Sequence, residues 1–347
     1  MSQWIRRACE LLEGGKDFVS ATVVARAGST PRTAGTRMLV LRDGSIVETI
    51  GGGKVEAMAI RSALELFPTS GARLESYDLT GDLSEGMDMI CGGRLEVLLE
   101  HVPATPVQTE VHRALRDARG RGAKTVLVKS LLYDGSALGQ VKSCLLLENG
   151  LLAGEFPHPS DWLEALRRRA VKERSPVMAE HEGARFLVEP AFVPGTVYLF
   201  GGGHVSQATA HLARLVDFRT VVLDDRAEFA NRERFPDADE VRVPKSFESA
   251  LEGIELDADS YAVIVTRGHS HDKTVLARIL GTPAGYVGMI GSKRKRDTIY
   301  RKLLEEGFTQ KDLERVHCPI GVSIGAETVP EIAVSIVGEL IRARSEK

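Results

Sequence analysis

One stretch constrains the fold of this chain more than any other: a buried apolar run that drives straight into three glycines. Thr196–Phe200 reads T-V-Y-L-F and is followed by Gly201, Gly202 and Gly203. A helical pattern then places Val205, Ala208, Leu212 and Leu215 on one apolar face. The next β-rich run, R-T-V-V-L, ends on Asp224 and Asp225. Gly201 and Gly203 occupy the first two glycine positions of G-x-G-x-x-G, and Ser206 puts a small residue at the third. Glycines let the backbone approach a phosphate, a helix N-terminus offers free N–H groups, and the acid accepts ribose hydroxyls. Strand, glycines, helix, strand and acid in this register predict a Rossmann-type parallel-sheet domain over residues 195–347. The fold itself does not name the ligand, so a dinucleotide and other ligands both remain open. His204 has two readings, a phosphate contact or a capping or loop histidine.

Two further polar clusters follow later apolar runs. Y-A-V-I-V-T leads into Arg267, His269, His271 and Asp272, and Y-V-G-M-I leads into Ser292 and Lys293–Arg296. Two histidines and an acid suit a metal, but no third neutral ligand is evident, so a polar ligand-facing loop or helix cap is the preferred reading. The basic run at a helix start is either a solvated face or an anion site. In a doubly wound sheet these loops share one edge, so Gly201–Gly203, Asp224, His269, Ser292 and Lys293 are expected to line one crevice.

A chain of 347 residues is too long for one ordinary core. Its 48 acidic and 45 basic side chains leave a net charge of −3, which gives no global attraction to nucleic acid or to an anionic membrane. Cys9, Cys91, Cys144 and Cys318 show no C-x-x-C spacing, which argues against a disulfide framework or zinc ribbon and fits a reducing compartment. Apolar runs are short and the N-terminus reads as an amphipathic helix, so a soluble cytoplasmic protein is expected. No Ser/His/Asp triad can be read, and no G-x-x-x-x-G-K-[ST] is present, so the sequence offers no catalytic residues of those classes.

P-A-F-V-P-G at Pro190–Gly195 separates this domain from an upstream α/β domain, residues 1–192. That domain reads as a duplication, 1–102 and 105–192, each copy running helix, strand, hairpin, helix and two strands. Asp43–Gly44 and Asn149–Gly150 supply the matching hairpin turns. Only the first copy carries the polar glycine-rich insertions: G-S-T-P-R from Gly28, Gly51–Gly52–Gly53–Lys54, and Cys91–Gly92–Gly93–Arg94. Backbone N–H groups of Gly92 and Gly93 can turn toward the Cys91 sulfur, with Arg94 nearby, and so favour a thiolate. A thiolate is a nucleophile and a soft metal ligand, which makes Cys91 the candidate metal-binding residue.

Taken in order, these motifs resemble the XdhC/CoxI family of xanthine dehydrogenase accessory, or molybdenum cofactor insertion, factors. The resemblance runs through G-S-T-P-R, G-T-R-M-L-V from Gly35, I-G-G-G-K-V-E from Ile50, C-G-G at Cys91 and G-G-G-H-V from Gly201. It continues through V-T-R-G-H-S-H-D from Val265, Y-V-G-M-I-G-S-K-R-K from Tyr286 and the closing segment from Pro319. Many members carry a cysteine where this chain has Lys54; if that cysteine helps hold metal or sulfur in those members, Cys91 must act here without it. The resemblance implies a non-catalytic maturation factor. Such a factor binds the molybdenum cofactor (molybdopterin), protects it during sulfuration by a cysteine desulfurase, and inserts it into a molybdenum hydroxylase client. Cys91 with Gly92, Gly93 and Gly51–Gly53 would hold the metal end. The Rossmann crevice would take a phosphate or nucleotide, NAD(P) included, within one chain or across a homodimer. The competing classes are an NAD(P)-dependent oxidoreductase and a nucleotide-binding redox sensor; no Tyr-x-x-x-Lys pair supports the first.

Overall fold

The structure is a computed structural model describing residues 3–28, 33–78, 93–131, 133–134, 137–139, 141–147, 152–154, 160–173, 175–191 and 195–346. It divides into two compact units, Met1–Phe192 and Val193–Lys347.

The first unit opens with α1 (Gln3–Glu13), β1 (Phe18–Ala27), β2 (Arg37–Val40), β3 (Ile46–Val47), α2 (Gly53–Leu64), β4 (Ala72–Asp78) and β5 (Arg94–Val102). It continues with α3 (Pro106–Arg121), β6 (Val126–Leu131), β7 (Tyr133–Asp134), β8 (Ala137–Leu138), β9 (Lys142–Leu146), β10 (Leu152–Ala153), α4 (Ser160–Glu173), β11 (Val177–His181) and β12 (Ala184–Pro190). Two antiparallel sheets result, ordered β3-β2-β1-β5-β4-β8-β7 and β10-β9-β6-β12-β11. Omitting β7 and β8, the two orders match strand for strand. The Asp43–Gly44 turn closes the β2–β3 hairpin, with Leu41 N–H donating to the Ser45 carbonyl at 2.9 Å. β9 and β10 pair likewise, although Asn149 and Gly150 lie outside the described residues.

Alternation along the strands sorts the faces. Val19, Ala21 and Val23 of β1 pack with Leu95, Val97 and Leu99 against α2, while Val126, Val128 and Cys144 pack against Leu163 and Leu166 of α4. The opposite faces meet through Val24, Leu98, Leu131 and Leu187. Within that buried layer, four charges sit among the described residues. Arg37 reaches Glu189 at 2.5 Å, and Lys129 reaches Glu100 at 2.5 Å and Glu189 at 3.5 Å. Burial opposes the charge of Glu189, but Arg37 and Lys129 hold its carboxyl below the ordinary value.

The second unit comprises β13 (Thr196–Phe200), α5 (His204–Leu215), β14 (Arg219–Leu223), β15 (Glu240–Arg242), β16 (Ser260–Ile264), α6 (His269–Leu280), β17 (Tyr286–Met289), α7 (Lys293–Glu305), α8 (Gln310–Glu314), β18 (Val316–His317) and α9 (Val329–Ser345). Its sheet is all-parallel, ordered β15-β14-β13-β16-β17-β18. This is the doubly wound Rossmann order, with the reversal between β13 and β16. α5 and α9 contribute Ala210, Ala213, Ile336 and Leu340 to the core on one face of the sheet. α6 and α7 contribute Leu276, Ile279, Ile299 and Leu303 on the other.

Candidate functional site: the carboxyl edge of the parallel sheet

Because the strands are parallel, the segments after β13, β14, β16 and β17 emerge at one edge, beside the reversal point. Gly201 adopts φ +116°, and a Cβ there would sit 2.4 Å from the Val265 carbonyl oxygen. A Cβ at Gly202 would sit 2.6 Å from the Phe229 carbonyl oxygen. At Gly203, the N-cap of α5, a Cβ would meet no atom of the described residues within 4 Å. Gly203 is therefore the open glycine, while its two neighbours allow backbone to touch backbone. Ser206 is buried and donates to the Gly201 carbonyl. His204 is exposed at the first helical position, and no side chain among the described residues caps α5.

Asp224 is 1% exposed. One of its oxygens accepts the Gly202 N–H at 2.8 Å, tying β14 to the glycine loop. Arg226 adds a two-pronged contact, Nε at 3.0 Å and Nη2 at 3.1 Å, together with its own N–H at 3.1 Å. The acid that the sequence suggests for ribose is thus committed within the protein. Asp225 beside it holds Arg267 through both guanidinium prongs, and that contact holds its carboxyl below the usual range. Arg267 comes from the loop after β16, so this pair joins two strand ends.

The other predicted cluster divides. Asp272 is fully buried in α6 and accepts from Thr266 Oγ1 at 2.8 Å and Thr266 N–H at 3.2 Å. It also pairs with Lys295, which donates to the Ile290 carbonyl at 3.0 Å. Asp272 therefore pins the loop after β16 to the one after β17. His269 is exposed at the start of α6, and the His271 ring lies 5.2 Å from that of Phe247. No group of three metal-ligating side chains occurs among the described residues. Ser292 caps α7, its Oγ accepting the Lys295 N–H at 3.2 Å, and Lys293 and Arg294 are exposed beside it.

In the first unit, Gly51, Gly52 and Gly53 all have positive φ, at 133°, 77° and 65°. The N–H groups of Gly51 and Gly52 turn toward Thr49 Oγ1 and Glu56 Oε2 at 3.0 and 3.3 Å. Lys54 is exposed at the start of α2. Gly93 is buried just before β5, whereas Cys91 and Gly92 lie outside the described residues. Burial pushes the thiols of Cys9 and Cys318 up to about 11 and that of Cys144 to about 12.

Sequence reasoning did not single out Arg226, Phe229 and Arg234, which crowd the end of β14 together with Asp225. The usable signal was the D-D-R at Asp224–Arg226, with a cation directly after the acids.

Residues 197–340 match the XdhC Rossmann domain and residues 11–78 match the XdhC and CoxI family, together more than half of the chain. The chain belongs to the XdhC and CoxI family. A crystal structure described as a xanthine dehydrogenase from Bacillus halodurans superposes with a TM-score of 0.75 at 27% identity, covering 98% of this chain and 96% of that one. A Bacillus subtilis protein described as a probable xanthine dehydrogenase subunit is 28% identical, covering 96% of this chain and 95% of the relative. The Escherichia coli molybdenum cofactor insertion chaperone PaoD is 23% identical, covering 98% of this chain and 87% of the relative. Escherichia coli YqeB, an uncharacterized protein, is 26% identical, but the match spans only 46% of its length. No described helix of this family member is long and apolar enough to cross a membrane.

Proposed function

We propose that this XdhC/CoxI-family protein is a molybdenum cofactor maturation chaperone. It binds the cofactor, guards it during sulfuration by a cysteine desulfurase, and inserts it into a xanthine dehydrogenase-type hydroxylase. The observation that carries this reading is similarity along nearly the whole chain to a relative described as a molybdenum cofactor insertion chaperone. The carboxyl edge supports a holding role over a chemical one: Asp224, Asp225 and Asp272 are all engaged in ion pairs. Cys91 supplies the soft ligand, and Gly203 with the first turn of α5 receives a phosphate or nucleotide portion. The site residues of the reading are therefore Cys91, Gly92 and Gly93, Gly51–Gly53, Gly201–Gly203, His204, Asp224, His269, Ser292 and Lys293.

Molybdenum and pterin analysis after co-expression with cofactor synthesis tests this. Cys91→Ala loses the bound cofactor while remaining folded, and Cys9→Ala and Cys144→Ala keep it. Equal retention in all three variants would remove Cys91 from the site. Absence of cofactor from the unaltered protein would remove the reading altogether.

A duplicated origin of the first unit belongs with this proposal. It is supported by the same order of elements and of strands in both sheets, with the glycine-rich insertions confined to the first copy.

A further inference from the structure

Three arginines, Arg226, Arg234 and Arg267, gather at the end of β14. Asp224 and Asp225 are taken up by Arg226 and Arg267. Among the described residues, the Arg234 side chain donates to uncharged oxygens only, the Gly202 carbonyl at 3.3 Å and Gln207 Oε1 at 3.0 Å. Its Nε is buried without a hydrogen-bond partner among the described residues. Phe229 binds the segment together, with Arg226 3.7 Å and Arg234 5.1 Å from its ring centroid. Arg226 spends Nε and Nη2 on Asp224, which leaves its Nη1 outside that fork.

A half-buried guanidinium without a counter-charge is electrostatically incomplete. A phosphate monoester completes it, because the guanidinium fork matches phosphate oxygens in charge and geometry. The location decides which phosphate. Beside the glycine loop, at the end of the second strand in the order of the chain, lies the ribose of a nucleotide bound to this fold. A free ribose diol asks for an acceptor carboxylate there, and Asp224 is already saturated with donors. We propose that the site selects a nucleotide whose ribose carries a phosphate monoester, held by Arg234 and Arg226, over one with free 2′ and 3′ hydroxyls. The proposal rests on the reading that the Rossmann unit holds a nucleotide and names the class it takes.

Titration calorimetry of the full chain with 5′-AMP, 2′,5′-ADP and 3′,5′-ADP at fixed ionic strength tests it. One bisphosphate binds about tenfold more tightly than 5′-AMP, as expected for one added charge-assisted contact. Which of the two binds best distinguishes a 2′- from a 3′-phosphate ligand. Arg234→Ala erases the difference without changing the affinity for 5′-AMP, and Arg234→Lys restores part of it. Equal binding of all three probes overturns the selectivity and leaves the nucleotide reading standing. Binding of none overturns both. A uniform loss across the three probes in Arg234→Ala also overturns the proposal, since Arg234 would then serve the common part of the site.

Discussion

A methyl group added at Gly201 would press into the Val265 carbonyl at a φ that L-residues rarely adopt, whereas at Gly203 it would enter open space. The two glycines therefore separate stability from binding. Gly201→Ala is expected to destabilise the second unit by about 2–3 kcal/mol, lowering its melting temperature by roughly 5–10 °C. Gly203→Asp should melt with the unaltered protein yet lose phosphate ligands, because it puts a carboxylate where the phosphate sits. Thermal melting beside nucleotide titration reads both outcomes, and a Gly203→Asp variant of normal affinity would break the assignment. The glycine triplet was legible in the sequence because its spacing is a fixed chemical pattern. The division of labour among the three was not, since it depends on Val265 and Phe229, which approach only in the folded unit. Asp224 shows the same limit: position marked it as an acid at a strand end, but Gly202 and Arg226 decide what its oxygens do.

Elements were legible where they are long. The hairpin at Asp43–Gly44, the helix after Gly53 and the alternation of parallel strands and helices beyond Thr196 all follow from turn chemistry and periodicity. β7 and β8 were not, because strands of two residues have no period to read, and they attach to the far sheet through Ala72–Leu138 pairing. The closing segment after β18 is held by a side chain far downstream in α9, which no local pattern reveals. Glu339 of α9 accepts the Tyr286 hydroxyl at 2.6 Å and the Gly321 N–H at 2.7 Å, with His317 Nδ1 at 3.3 Å. Burial opposes its charge, but His317, Tyr286 and Gly321 hold its pKa down to about 2 from 4.5. A depressed carboxyl pKa stabilises the fold above the unfolded value, and that contribution disappears as pH falls toward the folded value. Stability of the second unit should therefore drop between about pH 4.5 and pH 2. Denaturant titrations across that window should show a shallower slope in Glu339→Gln, and an unchanged slope would show that the carboxylate is not the titrating group.

Across the first unit, the four buried charges form two pairs, Arg37 with Glu189 and Lys129 with Glu100. Each pair takes its cation from one half of the unit and its acid from the other. Arg37→Met leaves Glu189 buried with, among the described residues, Lys129 at 3.5 Å as its one cation, a loss of about 3–5 kcal/mol. Arg37→Met combined with Glu189→Leu should recover much of that, since an apolar pair can replace buried ions. A double variant no more stable than the single one would show that the arginine acts through its 2.8 Å bond to Thr22 or its stacking on Trp4 instead. The crossing of the pairs also sets a timetable. On a ribosome, Arg37 emerges 152 residues before the acid that neutralises it, and Glu100 emerges 29 residues before Lys129. The first half of the unit therefore spends most of its synthesis with charges it cannot yet bury, so closure of that core belongs to the end of translation of the unit rather than its beginning.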